Sequence, residues 1–157
     1  MRLGKVSDSV LKRSVLKKIK THREEVILGA ALGEDCAFLQ FEEGDVLGVT
    51  TDPVTCSKVG SGKAAVYNVT NDLAAGGAMP VAVLVSALFP KKTSEDKIKA
   101  HMEEVEEVCA TLNIQLAGGH TEITDAVTRP VLTLTGIGKA KKDEITLTRG
   151  AKPFQDV

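Results

Sequence analysis

The sequence predicts an α/β (α+β) fold: a mixed β-sheet with helices packed on one face. Three observations carry that prediction. Apolar residues recur at alternating steps of four and three after Thr93-Ser94-Glu95-Asp96, the period of an amphipathic helix. Just before them, Val81-Ala82-Val83-Leu84-Val85-Ser86-Ala87-Leu88-Phe89 is a β-branched-rich run with the composition of a central strand buried on both faces. Around these two segments, helical and extended stretches alternate as α-β-β-α-β-α-β-β, an order that stacks helices on a sheet. The uncovered face of such a sheet needs a cover, and a partner subunit is the natural candidate.

Residues 9–20 predict the first helix. Leu11, Val15, Leu16 and Ile19 share one side, and Lys17, Lys18 and Lys20 lie near the end where cations suit the helix dipole. An irregular stretch follows to Gly33. Residues 36–41 and 46–51 read as two short strands joined by the turn Glu42-Glu43-Gly44-Asp45 and paired as a hairpin. The second strand ends in Thr50-Thr51-Asp52-Pro53, closed by proline. Residues 61–78 form a helix rich in small residues, able to pack close to a sheet, with glycines marking its C-terminal end. Thr93-Ser94-Glu95-Asp96 has the form of a capping box. The helix it opens buries Ile98, Met102, Val105, Cys109 and Leu112 and turns Lys and Glu outward. Residues 114–117 form a strand running into Gly118-Gly119-His120-Thr121-Glu122. A longer strand covers residues 127–138, with Leu132 and Leu134 on one face and Thr133 and Thr135 on the other. The tail from Lys139 is charged.

Composition narrows the function classes. The chain has 157 residues, 43% hydrophobic and 26% charged, which suits one globular domain. A net charge of −1 leaves no basic footprint for nucleic acid, and with no Trp and one Tyr there is little to stack on bases. Three widely spaced cysteines, Cys36, Cys56 and Cys109, argue against a disulfide scaffold or a structural zinc site and fit a cytoplasmic protein. The N-terminus leads into a charged amphipathic segment rather than an apolar signal core, and the run from Val81 to Phe89 is far too short to span a bilayer.

The chemistry-bearing residues centre on Asn71-Asp72, a polar pair in a run of Ala, Val, Leu and Gly. A buried carboxylate in such a run needs a partner, and a metal ion or ligand donor serves. Asp35, Asp52 and Glu122 each follow or open a short apolar segment and can converge with Asp72. Hard oxygen ligands without cysteine or histidine suit Mg²⁺ holding a nucleotide phosphate; taken singly, each acid also reads as a cap or turn residue. Gly118 and Gly119 at a strand end allow a ligand close to the backbone, the alternative being a plain turn with a solvated Glu122. His120 has no His or Cys at zinc-ligand spacing. Gly60-Ser61-Gly62-Lys63 fails as a phosphate loop, because Ser57 stands where glycine is required and Ala64 where Ser or Thr is required. It fails as a dinucleotide fingerprint because no acid follows about 20 residues on.

Four stretches, in this order, resemble a known family: Gly33-Glu34-Asp35-Cys36-Ala37, Thr50-Thr51-Asp52-Pro53-Val54, Asn71-Asp72-Leu73-Ala74 with Gly77-Ala78-Met79-Pro80, and Gly118-Gly119-His120-Thr121-Glu122. They are similar to the N-terminal, ATP-binding domain of the AIR synthase superfamily. That group includes aminoimidazole ribonucleotide synthase, selenophosphate synthase, thiamine-monophosphate kinase and the carbamoyl-dehydratase hydrogenase maturation factor, the last looking closest. The resemblance implies a homodimer closed through the sheet into a barrel, with ATP in a cleft near that interface. It implies Asp35, Asp52 and Asp72 as Mg²⁺ and phosphate ligands, Asn71 and Glu122 as further polar contacts, and room for nucleotide at Gly118 and Gly119. The shared chemistry is ATP-dependent phosphorylation of an amide- or carboxamide-type oxygen. Glu34 and Cys36 replace the more usual Asp and Ala. Residues 1–149 then form the ATP-binding domain, and residues 150–157 look like the turn that opens a C-terminal domain, with Phe154 where glycine is common. The alternative function is a non-catalytic dimerisation or regulatory module that keeps the fold.

Overall fold

The computed structural model describes residues 3–34, 36–55 and 60–147. In chain order the elements are β1 (Gly4–Lys5), α1 (Asp8–Ser14), β2 (Val26–Leu28), β3 (Phe38–Leu39), β4 (Asp45–Thr55), α2 (Ser61–Ala75), β5 (Met79–Pro90), α3 (Glu95–Leu112), β6 (Gln115–Thr124) and β7 (Val131–Lys141). Five strands form one mixed sheet in the order β1-β6-β5-β7-β4, and β2 and β3 form a separate ribbon. β5 and β6 are parallel, joined by the crossover helix α3, whereas β5–β7 and β4–β7 are antiparallel.

All three α-helices lie on one face of the sheet, as the alternating pattern predicts. Val66 and Val69 of α2 and Ile98, Met102, Val105 and Cys109 of α3 pack against Val83, Val85, Ala87 and Phe89 of β5 and Leu132 and Leu134 of β7. Burial pushes the Cys109 thiol up to about 12, so this cysteine is an inert core residue. The opposite face is only partly covered. Val26, Leu39 and Phe41 from the ribbon region close over Val81, Ala82 and Ala117, leaving Leu47 and Val49 of β4 exposed. β5 is therefore buried on both faces only around residues 81–85; Met79 and Ser86 are exposed.

Several local expectations change. The first helix stops at Ser14, and Leu16–Lys18 continue as a 3-10 turn after Val15 departs from helical geometry. Residues 36–41 do not pair with residues 46–51. β3 pairs with β2, and β4 pairs along its whole length with β7. Pro53 does not close β4, because β4 is an edge strand and proline is tolerated where no neighbour needs its missing N–H. The capping box does not form: the N-cap is Ser94 rather than Thr93, it makes no side-chain hydrogen bond, and Asp96 pairs with Lys99 instead. Leu112 is exposed rather than core.

The C-terminal half of α2 sits close to the sheet, and the sheet supplies the space. A side chain at Gly136 would stand 3.1 Å from both Leu73 Cδ1 and Val69 Cβ, and one at Gly48 would stand 3.4 Å from Leu73 Cδ2. Glycines on β4 and β7 therefore set the height of α2 above the sheet.

Candidate functional site

The structure gathers the sequence-predicted residues into two clusters. The first surrounds a cavity of about 550 Å³ beside the outer edge of β6. That edge is open there because β1 and the residue after it reach only Thr121 to Ile123. Gly33, Glu34 and Cys36 from the loop before β3 and Gly118, Gly119 and His120 from β6 line the cavity, so two of the four motifs share one space. Leu11, Leu16 and Ile19 add apolar lining, and Lys5 and Asp8 join Glu34 as its charged groups. Asp35 lies outside the described residues.

Gly118-Gly119-His120-Thr121-Glu122 is not a strand-end turn. It runs through the middle of β6, where the register to β5 shifts after Val83. Gly119 has φ +148°, and a side chain there would meet the Val85 carbonyl oxygen at 2.0 Å. The bulge alone requires this glycine. Gly118 is half-buried, lines the cavity, and would hold a side chain only at 3.1 Å from Leu84 Cδ2. Beyond the bulge, Thr121 and Ile123 turn to the core, and His120 and Glu122 turn to the open face. There His120 Nε2 and a Glu122 carboxylate oxygen are 3.0 Å apart.

The second cluster lies on the helix-covered side, at the β4 edge. Thr50 and Asp52 are two residues apart on one face of β4, and Asp72 and Asn71 stand on the adjacent α2. Thr50 Oγ1 donates to Asp72 Oδ2 at 2.7 Å. Asn71 and Asp72 are both exposed, so the cost of burying a carboxylate does not arise: α2 buries Val66, Val69, Thr70 and Leu73 and turns the polar pair out. Neither Asp52 nor Asp72 forms an ion pair with a lysine or arginine among the described residues. Glu25, by contrast, sits between Arg23 and Lys139, and the hydrogen bond from Arg23 leads in holding its carboxyl down at about 2. Among the described residues Asp52 and Asp72 are thus carboxylates without a cationic partner, hard oxygen donors of the kind that Mg²⁺ takes.

Within one chain the two clusters do not meet. They are separated by three strand spacings, roughly 14 Å. No group of three or more His, Cys, Asp or Glu side chains at metal-binding distance occurs among the described residues. Two contributors escaped sequence reasoning. Thr50 had a usable signal, since a period of two puts it on the face of Asp52. Gly136 had none, because its partner helix lies far away in the chain.

A mixed sheet with one helical layer, a glycine-lined cavity and an acidic strand edge defines the class of domain. The chain belongs to the family described as AIR synthase related protein, N-terminal domain, which matches residues 33–140. It is 24% identical over 139 residues to a Methanocaldococcus jannaschii protein named for hydrogenase expression and formation, covering 86% of this chain and 42% of that protein. It is 37% identical over 91 residues to the thiamine-monophosphate kinase of Bacillus subtilis, covering 58% of this chain and 27% of that enzyme. Its fold matches that of the hydrogenase maturation protein HypE crystallised in complex with ATP, with a TM-score of 0.78 at 18% identity over 92% of this chain and 43% of that one. The chain thus spans less than half the length of each of these relatives. No helix among the described residues is long and apolar enough to cross a membrane.

Proposed function

We propose that this chain is an ATP·Mg²⁺-binding, dimer-forming domain of an AIR synthase-related enzyme that phosphorylates an amide- or carboxamide-type oxygen, in the manner of hydrogenase maturation. The observation that carries the reading is the pairing of a cavity lined by Gly33, Glu34, Gly118 and Gly119 with an acidic edge at Asp52 and Asp72 that lacks cationic partners among the described residues.

In this reading Asp52 and Asp72 hold Mg²⁺ that offsets phosphate charge during phosphoryl transfer, and the family resemblance adds Asp35 as a phosphate ligand. Asn71 adds an exposed amide beside Asp72, and Glu122 a carboxylate beyond the cavity. Gly118 leaves the cavity wall without a side chain, and Leu11, Leu16 and Ile19 keep water from that wall. The second copy covers the open sheet face that the β2–β3 ribbon leaves bare, and the nucleotide cleft runs near that interface. The longer relatives supply the motive for a C-terminal domain that completes the substrate site.

Calorimetry tests the reading. The chain titrated with ATP in the presence of Mg²⁺ should release or absorb heat with a saturable isotherm, and Asp72→Ala should abolish it. An unchanged isotherm in Asp72→Ala, or no binding at millimolar ATP, overturns it.

A further inference from the structure

We propose that Thr50 is a positioning residue for the cation site, a role that rests on the nucleotide reading above. Its two branches do different things. The methyl group, Cγ2, fills the space above Gly136, where an added side chain would stand only 3.3 Å away. That space is otherwise bounded by Leu73 and Val69 of α2. A β-branched residue so confined keeps one χ1 rotamer, and in that rotamer the hydroxyl meets Asp72 Oδ2 at 2.7 Å.

The bond occupies one carboxylate oxygen and leaves Oδ1 without a hydrogen-bond partner among the described residues. Asp72 is exposed at the surface of α2, where nothing else in the described structure restrains its side chain. An unrestrained aspartate loses rotamer freedom whenever it takes up a cation; Thr50 removes that freedom in advance. Partners that orient a metal ligand from behind typically account for 10- to 100-fold in metal affinity. Only threonine supplies both halves: serine keeps the donor and loses the wedge, and valine keeps the wedge and loses the donor.

The test uses the intact chain, with ATP titrated into wild type, Thr50→Val, Thr50→Ser and Asp72→Ala, each with saturating Mg²⁺ and again with a chelator. Thermal melting of every variant checks the fold. Thr50→Val should weaken ATP binding about 10-fold with Mg²⁺ and leave the metal-free affinity within about 2-fold. It should also raise the Mg²⁺ concentration for half-maximal effect, and Thr50→Ser should recover most of the loss. Three results overturn the role: wild-type affinity in Thr50→Val, an equal loss with and without Mg²⁺, or a Thr50→Ser variant as weak as Thr50→Val. A wild-type chain that binds no ATP, or an Asp72→Ala variant that binds as well as wild type, removes the nucleotide reading itself and the positioning role with it. A wild type sensitive to Asp72→Ala beside a silent Thr50→Val removes the positioning role alone.

Discussion

Both carboxylate oxygens of Glu104 accept backbone amides from the start of α2, Gly60 N–H at 2.7 Å and Gly62 N–H at 2.8 Å. The first turn of a helix offers unsatisfied donors and a positive dipole end, which an anion of either origin can fill. Here α3 fills it from within. Gly62 must be glycine because a side chain would stand 2.7 Å from Glu104 Cβ and from the His101 carbonyl oxygen, and Lys63 pairs with Glu107 at 2.5 Å. The glycines and lysine that resemble a phosphate loop are thus explained by helix–helix packing, and Ser57 and Ala64 break the spacing that a phosphate loop requires. Glu104→Ala strips two amides of their acceptor at a site where the carboxylate is mostly buried. The expected loss is about 2 kcal/mol in urea unfolding, with ATP affinity unchanged; an unaltered unfolding midpoint shows that water replaces the carboxylate at no cost.

At the scale of elements, the same contrast between local and distant causes decides what the sequence reveals. α3 was legible because its period, from Ile98 to Cys109, is written within one stretch. The central strand was legible from β5's composition, and the helix-on-sheet order from the alternation of segments. Strand partners were not. β4 pairs with β7, some 80 residues away, and nothing in residues 46–51 distinguishes that partner from the nearer residues 36–41. For the same reason Pro53 misled, since only the edge position of β4 makes it harmless. The four family motifs were visible as residues, and the exposure of Asp72 was not, because it depends on which side of α2 meets Gly136. The β6 bulge gives this scale its prediction. Gly119→Ala forces a methyl group onto the Val85 carbonyl at a φ of +148°, so it should cost roughly 3 kcal/mol or more and unfold the chain at lower urea in the absence of any nucleotide. Full stability in Gly119→Ala, with only ATP binding lost, would instead make this glycine a ligand contact.

The whole molecule carries an asymmetry between its two sheet faces. One is sealed by α2 and α3. The other is half covered by the β2–β3 ribbon and then exposes Leu47 and Val49, 53% and 60% accessible, beside Ile137. Val49 and Ile137 face each other across the β4–β7 pair, so this apolar patch continues inward from a sheet edge whose outer strand has no neighbour among the described residues. Long unpaired edge strands invite a further strand, and apolar side chains beside one favour a second sheet over water. The proposed homodimer satisfies both demands at once. Val49→Lys places a charge where that partner packs, and an uncompensated buried charge is costly enough to break association. Val49 belongs to none of the buried clusters, so the folded chain should survive. Sedimentation velocity should give the mass of two chains for wild type and of one chain, 16.6 kDa, for Val49→Lys, with the same melting transition once corrected for concentration. If nucleotide binds in a cleft near that interface, Val49→Lys should also weaken ATP while leaving Asp72 and Thr50 untouched. A monomeric wild type that binds ATP normally would detach the open face from the site and leave its apolar patch to a partner other than this chain.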